Sequence, residues 1–203
     1  MISYYVLSLF TKVDVGITLD FLSRKLQQCQ DLLPLPHNVI IELIKLCTDD
    51  NVFTYGDRFY RQTFGCSMGS PLSPVLSNLF MEYFESELLS NVIDENTPWM
   101  RYVDDIFSVC SLSDEQFNVF FERLNSLCPS IKFQIEWESN NKLSFLDIQL
   151  VRQENQVFYK VFRKPTHSNM YIHYFSYHKE TIKLAVLSSL FLRAYRICSP
   201  CFF

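Results

Sequence analysis

Asp104 and Asp105 are adjacent carboxylates set between apolar, β-prone stretches, Trp99-Met100-Arg101-Tyr102-Val103 before them and Ile106-Phe107-Ser108 after. The pattern predicts strand, tight turn, strand, with both acids at the tip of a hairpin. Two like charges side by side repel, and beside a packed core a cation or water must take them up. Hard divalent cations take oxygen ligands, so the pair is a candidate metal site. On its own, an Asp-Asp turn reads more simply as a solvated turn, and the company it keeps elsewhere in the chain decides between the two.

The first companion is Phe64-Gly65-Cys66-Ser67-Met68-Gly69-Ser70-Pro71-Leu72-Ser73-Pro74, a run of small residues ahead of an amphipathic helix predicted over 75–89. Ser73 is the expected N-cap, with Pro74 at the first helical position. Gly65 and Gly69 remove side chains just before that helix, so another backbone, a base or a ribose could come close. An ordinary loop-to-helix junction has the same composition. The second companion is a charge asymmetry. Residues 1–151 carry 10 Lys+Arg against 20 Asp+Glu, whereas residues 152–203 carry 8 against 2, with His167, His173 and His178 in the same segment. An acidic body with a basic end suits a cation site beside a surface that meets phosphate, and equally an accident of surface composition.

The elements that must position these residues follow from periodicity. A buried strand is predicted over 2–10. Helices are predicted over 15–28 (Ile17, Leu19, Phe21, Leu22, Leu26) and 36–48 (Val39, Ile40, Leu43, Ile44, Cys47). Strands at 52–55 and 58–63 flank Gly56-Asp57, a hairpin signal. After the Asp-Asp hairpin comes a helix over 113–128, capped by Ser113 with acids in its first turn. Strands follow at 132–138 and 143–151 around Ser139-Asn140-Asn141, and at 156–162 after Gln153-Glu154-Asn155. The last predicted helix, 179–196, is expected to bury Ile182, Val186, Leu187, Leu190, Phe191 and Ala194.

At 203 residues, 48% hydrophobic and 20% charged, with net charge −4, the chain is expected to form one well-packed domain and part of a second. Seven scattered cysteines (29, 47, 66, 110, 128, 198 and 201) predict reduced, mostly buried thiols inside the cell. Cys198 and Cys201 have a ligand-like spacing but lack a second pair. The apolar start lacks a basic segment and cleavage site, and the uncharged run 184–192 is too short to cross a bilayer. The expected location is nucleus or cytoplasm, without membrane association.

Strand, two helices, hairpin, small-residue loop with helix, Asp-Asp hairpin, helix and strands, in this order, resemble the palm of a reverse transcriptase. Tyr102-Val103-Asp104-Asp105 is similar to that family's motif C, and Gly65 to Pro74 to its motif B. Ser8-Leu9-Phe10-Thr11, Phe145-Leu146-Asp147 and Arg163-Lys164-Pro165-Thr166-His167 resemble one branch, the Penelope-like retroelements. The resemblance implies an α+β fold: a polymerase palm over 1–162, its antiparallel sheet backed by helices, then the start of a helical thumb over 163–203. The fingers are absent, and no nuclease of the kind that often follows in that branch is matched, so a fragment of a larger element is expected.

The implied activity is RNA-directed DNA synthesis by nucleotidyl transfer with two Mg²⁺ ions, on an RNA template, a DNA primer and a deoxynucleoside triphosphate. Asp104 and Asp105 would be the catalytic, metal-holding carboxylates. Aligned on the family pattern, the third carboxylate position falls on Tyr5, a phenol with an ordinary pKa of about 10, so polymerisation is expected to be impaired. Phe10 falls where a bulky residue screens the sugar 2′ position. Met68, Gly69, Ser70 and Pro71 are the implied nucleotide and template contacts, and Arg163, Lys164, His167, Lys179 and Lys183, with Arg193 and Arg196, the nucleic-acid contacts. Lys142 is a positional candidate for a general acid, and Asp147 has no implied chemical role. The alternative is a catalytically silent nucleic-acid-binding palm remnant. A metal-dependent nuclease on another fold leaves the Met68–Pro74 loop unexplained.

Overall fold

Alternation sets the first strand: in β1 (Ile2–Val6), Ile2, Tyr4 and Val6 are buried, while Tyr5, pointing to the opposite face, is half-buried. The structure is a computed structural model describing residues 1–49, 51–154 and 156–202. Asn155, expected in a turn, and Phe203, expected at the end of the thumb segment, lie outside the described residues. The chain divides into two compact units, one of residues 4–134 and the other of residues 1–3 with those from Ile135 onward.

The strand ends sooner than the apolar run suggests. Ser8 adopts φ +53°, and Leu9–Lys12 form a single helical turn (α1), so Phe10 is helical instead of extended. Helix α2 (Val15–Gln28) has the predicted limits, and Asp14 caps it by accepting from the Ile17 N–H at 3.0 Å. Helix α3 spans His37–Asp49. Strands β2 (Val52–Tyr55) and β3 (Arg58–Arg61) pair antiparallel around Gly56-Asp57 as expected, exposed along their whole length. Helix α4 starts at Leu72 and passes at Phe84 into a π-helical turn (Phe84–Leu88) and a 3₁₀ turn (Leu89–Asn91).

Strands β4 (Trp99–Tyr102) and β5 (Asp105–Ser108) join β1 and β6 (Phe133–Trp137) in a four-stranded sheet ordered β4-β5-β1-β6. The face opposite Tyr5 carries the core of the first unit. There Tyr4 packs on Trp99 at 5.2 Å and on Phe117 at 6.5 Å between ring centres, and Phe84 packs on Phe133 at 5.4 Å. Phe117 comes from α5 (Asp114–Ser126), which begins with the expected Ser113 cap, here a capping box shared with Gln116.

In the second unit the strand predicted over 143–151 is two strands. β7 (Lys142–Phe145) turns at Leu146-Asp147 into β8 (Ile148–Gln153), which pairs with β9 (Gln156–Val161). Leu146 takes φ +52°, which its side chain does not favour, so the turn was not legible as one. Asp147 thus stands in a turn, between Phe145 and Ile148. Helix α6 (Glu180–Ile197) is long enough, but it buries none of its residues; Leu184, Leu187, Phe191 and Tyr195 are exposed. The apolar periodicity there marks a stripe and does not say which side of it packs. Nor are the thiols mostly buried. Cys66 and Cys128 are, while Cys29, Cys47 and Cys201 are exposed. No helix among the described residues is long and apolar enough to cross a membrane.

The loop before α4 is pinned to the end of α1. The Cys66 N–H donates to the Phe10 carbonyl at 2.6 Å, and a Cβ added to Gly65 would stand 2.6 Å from the Thr11 backbone. Gly65 also holds φ +78°, whereas Gly56 at φ +58° has open space around it. Gly65→Ala is therefore expected to destabilise the protein by about 2 kcal/mol or more, and Gly56→Ala by about 1 kcal/mol. Urea unfolding of the two variants checks the difference; equal losses would contradict it.

Candidate functional site

In the antiparallel register Tyr102 opposes Asp105, so the two residues at the tip are Val103 and Asp104. Asp105 is the first residue of β5, half-buried, and not a turn residue as the apolar flanks suggested. Val103 carries φ +56° and Asp104 does not share it, the pattern of a type II′ turn with valine where glycine is usual. A β-branched residue in that region stores about 1–3 kcal/mol, which the surroundings must supply.

Two sets of contacts supply it. The Val6 N–H donates to the Asp104 carbonyl at 2.9 Å, tying the tip to β1. Arg101, one strand residue back, donates Nε to Glu85 Oε1 at 2.7 Å and Nη2 to Oε2 at 3.1 Å. Its Nη1 reaches Asn78 at 3.1 Å and the Val103 carbonyl at 3.3 Å. Trp99 Nε1 also donates to Glu85, at 3.1 Å. Glu85 stands in the π-helical turn, one residue after the core residue Phe84. The helix thus grips the acid-bearing hairpin from behind through a bidentate, largely buried pair. Neither Arg101 nor Glu85 was expected in this role; an arginine inside an otherwise apolar strand was the available signal.

Tyr5 lies on β1 beside the residue that binds the Asp104 carbonyl, and its phenol donates to the Gln134 side chain. Asp105 opens the strand beside β1 and Asp104 stands in the turn before it, while Tyr5 offers no carboxylate as the third oxygen ligand that two divalent ions would need. Among the described residues no three His, Cys, Asp or Glu side chains are grouped to hold a metal. The residues present do not fit a two-ion centre.

Phe10 sits in α1 with its carbonyl bound by the Cys66 N–H, which brings the start of the loop 65–71 to that helical turn. Ser73 is not the N-cap. Pro71 holds that position, and Ser73, buried in the first turn, donates its hydroxyl to the Ser67 carbonyl. Met68 is 76% exposed, and Gly69, at φ +97°, has open space where a side chain would stand. Ser70 accepts from the Leu72 N–H at 3.3 Å, and Pro71 is exposed. A cavity of about 700 Å³, lined by Thr11, Phe53, Gln62, Cys66, Ser67 and Met68 among others, opens beside this loop. Burial pushes the Cys66 thiol up to about 11, which makes it an unreactive wall.

The basic residues expected to meet nucleic acid lie in the second unit. Arg163 donates to Asn169 at 3.0 Å, and His167 Nδ1 accepts from the Asn169 N–H at 2.8 Å. Lys183 donates to the Tyr174 carbonyl and lies 5.4 Å from that ring's centre. Lys164 is exposed, Lys179 precedes α6 as its N-cap, and Lys142, at the start of β7, is exposed.

The palm-like arrangement of sheet, small-residue loop and acid-bearing hairpin defines a polymerase class of fold. A family model described as reverse transcriptase (RNA-dependent DNA polymerase) matches residues 15–175, and the chain belongs to that family. That family is one of RNA-directed DNA polymerases, and its members generally use divalent metal ions. An animal helix-turn-helix domain model matches residues 170–203. No curated protein matches the chain.

Among solved structures, the chain resembles telomerase from Candida albicans in complex with a TWJ fragment of telomeric RNA. The TM-score is 0.65 and the identity 11%, covering 93% of this chain and 34% of that one. It also resembles apo telomerase from Candida tropicalis truncated from its C-terminal domain, with TM-score 0.59 and 15% identity over 77% and 34% of the two chains. These likenesses concern the fold, a partial reverse-transcriptase palm, and this chain spans about a third of each telomerase.

Truncating Glu85 to Ala leaves Arg101 without its partner behind the hairpin. The expected loss is about 2–3 kcal/mol in urea unfolding, and Val103→Gly is expected to match or exceed the wild type in stability because its turn is relieved. A Glu85→Ala variant as stable as the wild type would contradict the grip.

Proposed function

We propose that this chain is the palm of a Penelope-like retroelement reverse transcriptase in which nucleotidyl transfer is impaired. The family supports the polymerase class, and the segments Ser8–Thr11, Phe145–Asp147 and Arg163–His167 support the branch. The observation that carries the impairment is Tyr5, a phenol hydrogen-bonded to Gln134 at the position where the family pattern calls for a carboxylate. Bound divalent ions in this class lower the pKa of the primer hydroxyl and neutralise the triphosphate. With two acids in place of three, the chain's own residues hold such ions weakly.

What remains is recognition. An RNA template and DNA primer are the partners, with a deoxynucleoside triphosphate as substrate of any residual activity. Phe10 and the Met68–Pro71 segment face the nucleotide and template, and Arg163, Lys164, His167, Lys179 and Lys183 meet the phosphate backbone. The same tyrosine favours a second reading, a silent palm that binds nucleic acid and does no chemistry. Salt-dependent binding of an RNA–DNA hybrid with no nucleotide incorporation selects that reading.

Primer extension on poly(rA)/oligo(dT) tests the proposal. Tyr5→Asp is expected to incorporate at least about tenfold faster than the wild type, equivalent to ~1.4 kcal/mol or more of transition-state stabilisation. Equal rates in the two proteins, whether high or nil, would overturn the assignment of Tyr5 as the limiting residue.

A further inference from the structure

The second unit holds a cavity of about 530 Å³ between the end of β9, the segment that follows it, and α6. Lys160, Arg163, Lys164, His167 and Arg193 line it, and among the described residues the single carboxylate on its wall is Asp147. Chain topology brings them together. The segment 163–167 leaves β9 directly, and the residues after α6 return to β9, where the Ser199 N–H donates to the Tyr159 carbonyl at 2.8 Å and Ser199 Oγ accepts from the Tyr159 N–H at 2.9 Å. Lys160 lies 5.9 Å from the centre of the Phe202 ring, which holds its stem against the wall.

Arg193 and Asp147 form the informative pair. Arg193 Nη2 meets Asp147 Oδ1 at 2.9 Å, yet the carboxylate itself is 75% exposed. Arg193 Nε is buried with no hydrogen-bond partner. A buried guanidinium N–H without an acceptor is unfavourable, and an anion is the acceptor that four permanent positive charges around one cavity would draw in. His167 Nδ1 accepts from the Asn169 N–H, which leaves Nε2 as a further donor. Sequence alone did not single out Lys160, and it gave Asp147 no role.

We propose that this cavity takes a phosphate group, with Arg193 as its principal ligand and Asp147 as the positioning residue that holds Arg193 across the cavity. This rests on the reading of the chain as a nucleic-acid-binding palm when the phosphate belongs to a backbone; a free phosphate is the other source of the same chemistry. The two roles oppose each other in sign. If Asp147 were only a negative charge beside an anion site, removing it would tighten binding. As a positioning residue, its removal loosens Arg193 and weakens binding.

The test measures RNA–DNA hybrid binding by fluorescence anisotropy across a salt series, and inorganic phosphate by ³¹P line broadening, on the full chain. Arg193→Gln is expected to weaken hybrid binding at least about threefold, to reduce the slope of log affinity against log salt by about one, and to abolish the phosphate broadening. Arg193→Lys keeps the charge without the Nε donor, so it is expected to restore the slope and not the affinity, which separates loss of the site from loss of the fold. Asp147→Asn is expected to weaken binding of both ligands. Arg123→Gln, exposed on α5 and outside the cavity, is expected to leave the phosphate broadening intact. An unchanged slope and affinity in Arg193→Gln, tighter binding in Asp147→Asn, or equal effects of Arg193→Gln and Arg123→Gln would each overturn the proposal. A wild type that broadens phosphate through Arg193 and ignores the hybrid would instead retain the site and remove the nucleic-acid reading.

Discussion

One backbone hydrogen bond, from the Val6 N–H to the Asp104 carbonyl at 2.9 Å, decides what the candidate centre can be. It places the acid-bearing turn alongside β1, the strand that carries residue 5. Because strand residues alternate, Tyr4 and Val6 go to the core and Tyr5 goes to the open face. No small shift of register exchanges these roles, since a one-residue slip would bury Tyr5 and expose Tyr4. The tyrosine is therefore structural evidence about chemistry. On the proposed reading, residue 5 is the position that the family pattern gives to a third carboxylate, and the sequence puts a phenol there.

The remaining features hold that turn in an unfavourable shape. Valine at φ +56° is retained because its carbonyl receives Arg101, and Arg101 is fixed by both oxygens of Glu85. Glu85 is presented by a widened helical turn whose preceding residue, Phe84, is anchored on Phe133 in the core. Strain at the tip is thus opposed by burial about one helix away. The small-residue loop is held by a similar logic, through the close approach of Gly65 to the Thr11 backbone.

Much of this was legible in the sequence where local chemistry dominates. The limits of α2, the Ser113 capping box and the Gly56-Asp57 hairpin follow from periodicity, caps and turn residues. Legibility failed where tertiary contacts override local preference. Val103 and Leu146 turn the chain at positive φ although neither side chain favours it, so one hairpin was shifted by a residue and the other was read as a single strand. Ser73 looked like a cap, but its hydroxyl is drawn back to Ser67. On α6 the apolar stripe was visible and the side that packs was not. For the site, the acids and the loop could be read directly, and the significance of Tyr5 came from the family pattern. The supports at Arg101 and Glu85 depend on a contact between residues 16 apart and left only a faint trace.

On the proposed reading, the phenol at residue 5 leaves the two acids unable to hold a pair of divalent ions. Mn²⁺ titration followed by electron paramagnetic resonance, on the wild type and Tyr5→Asp, tests this. The variant is expected to bind Mn²⁺ at least about tenfold more tightly, with a second ion absent from the wild type. Identical isotherms, with two ions bound by the wild type, would contradict it.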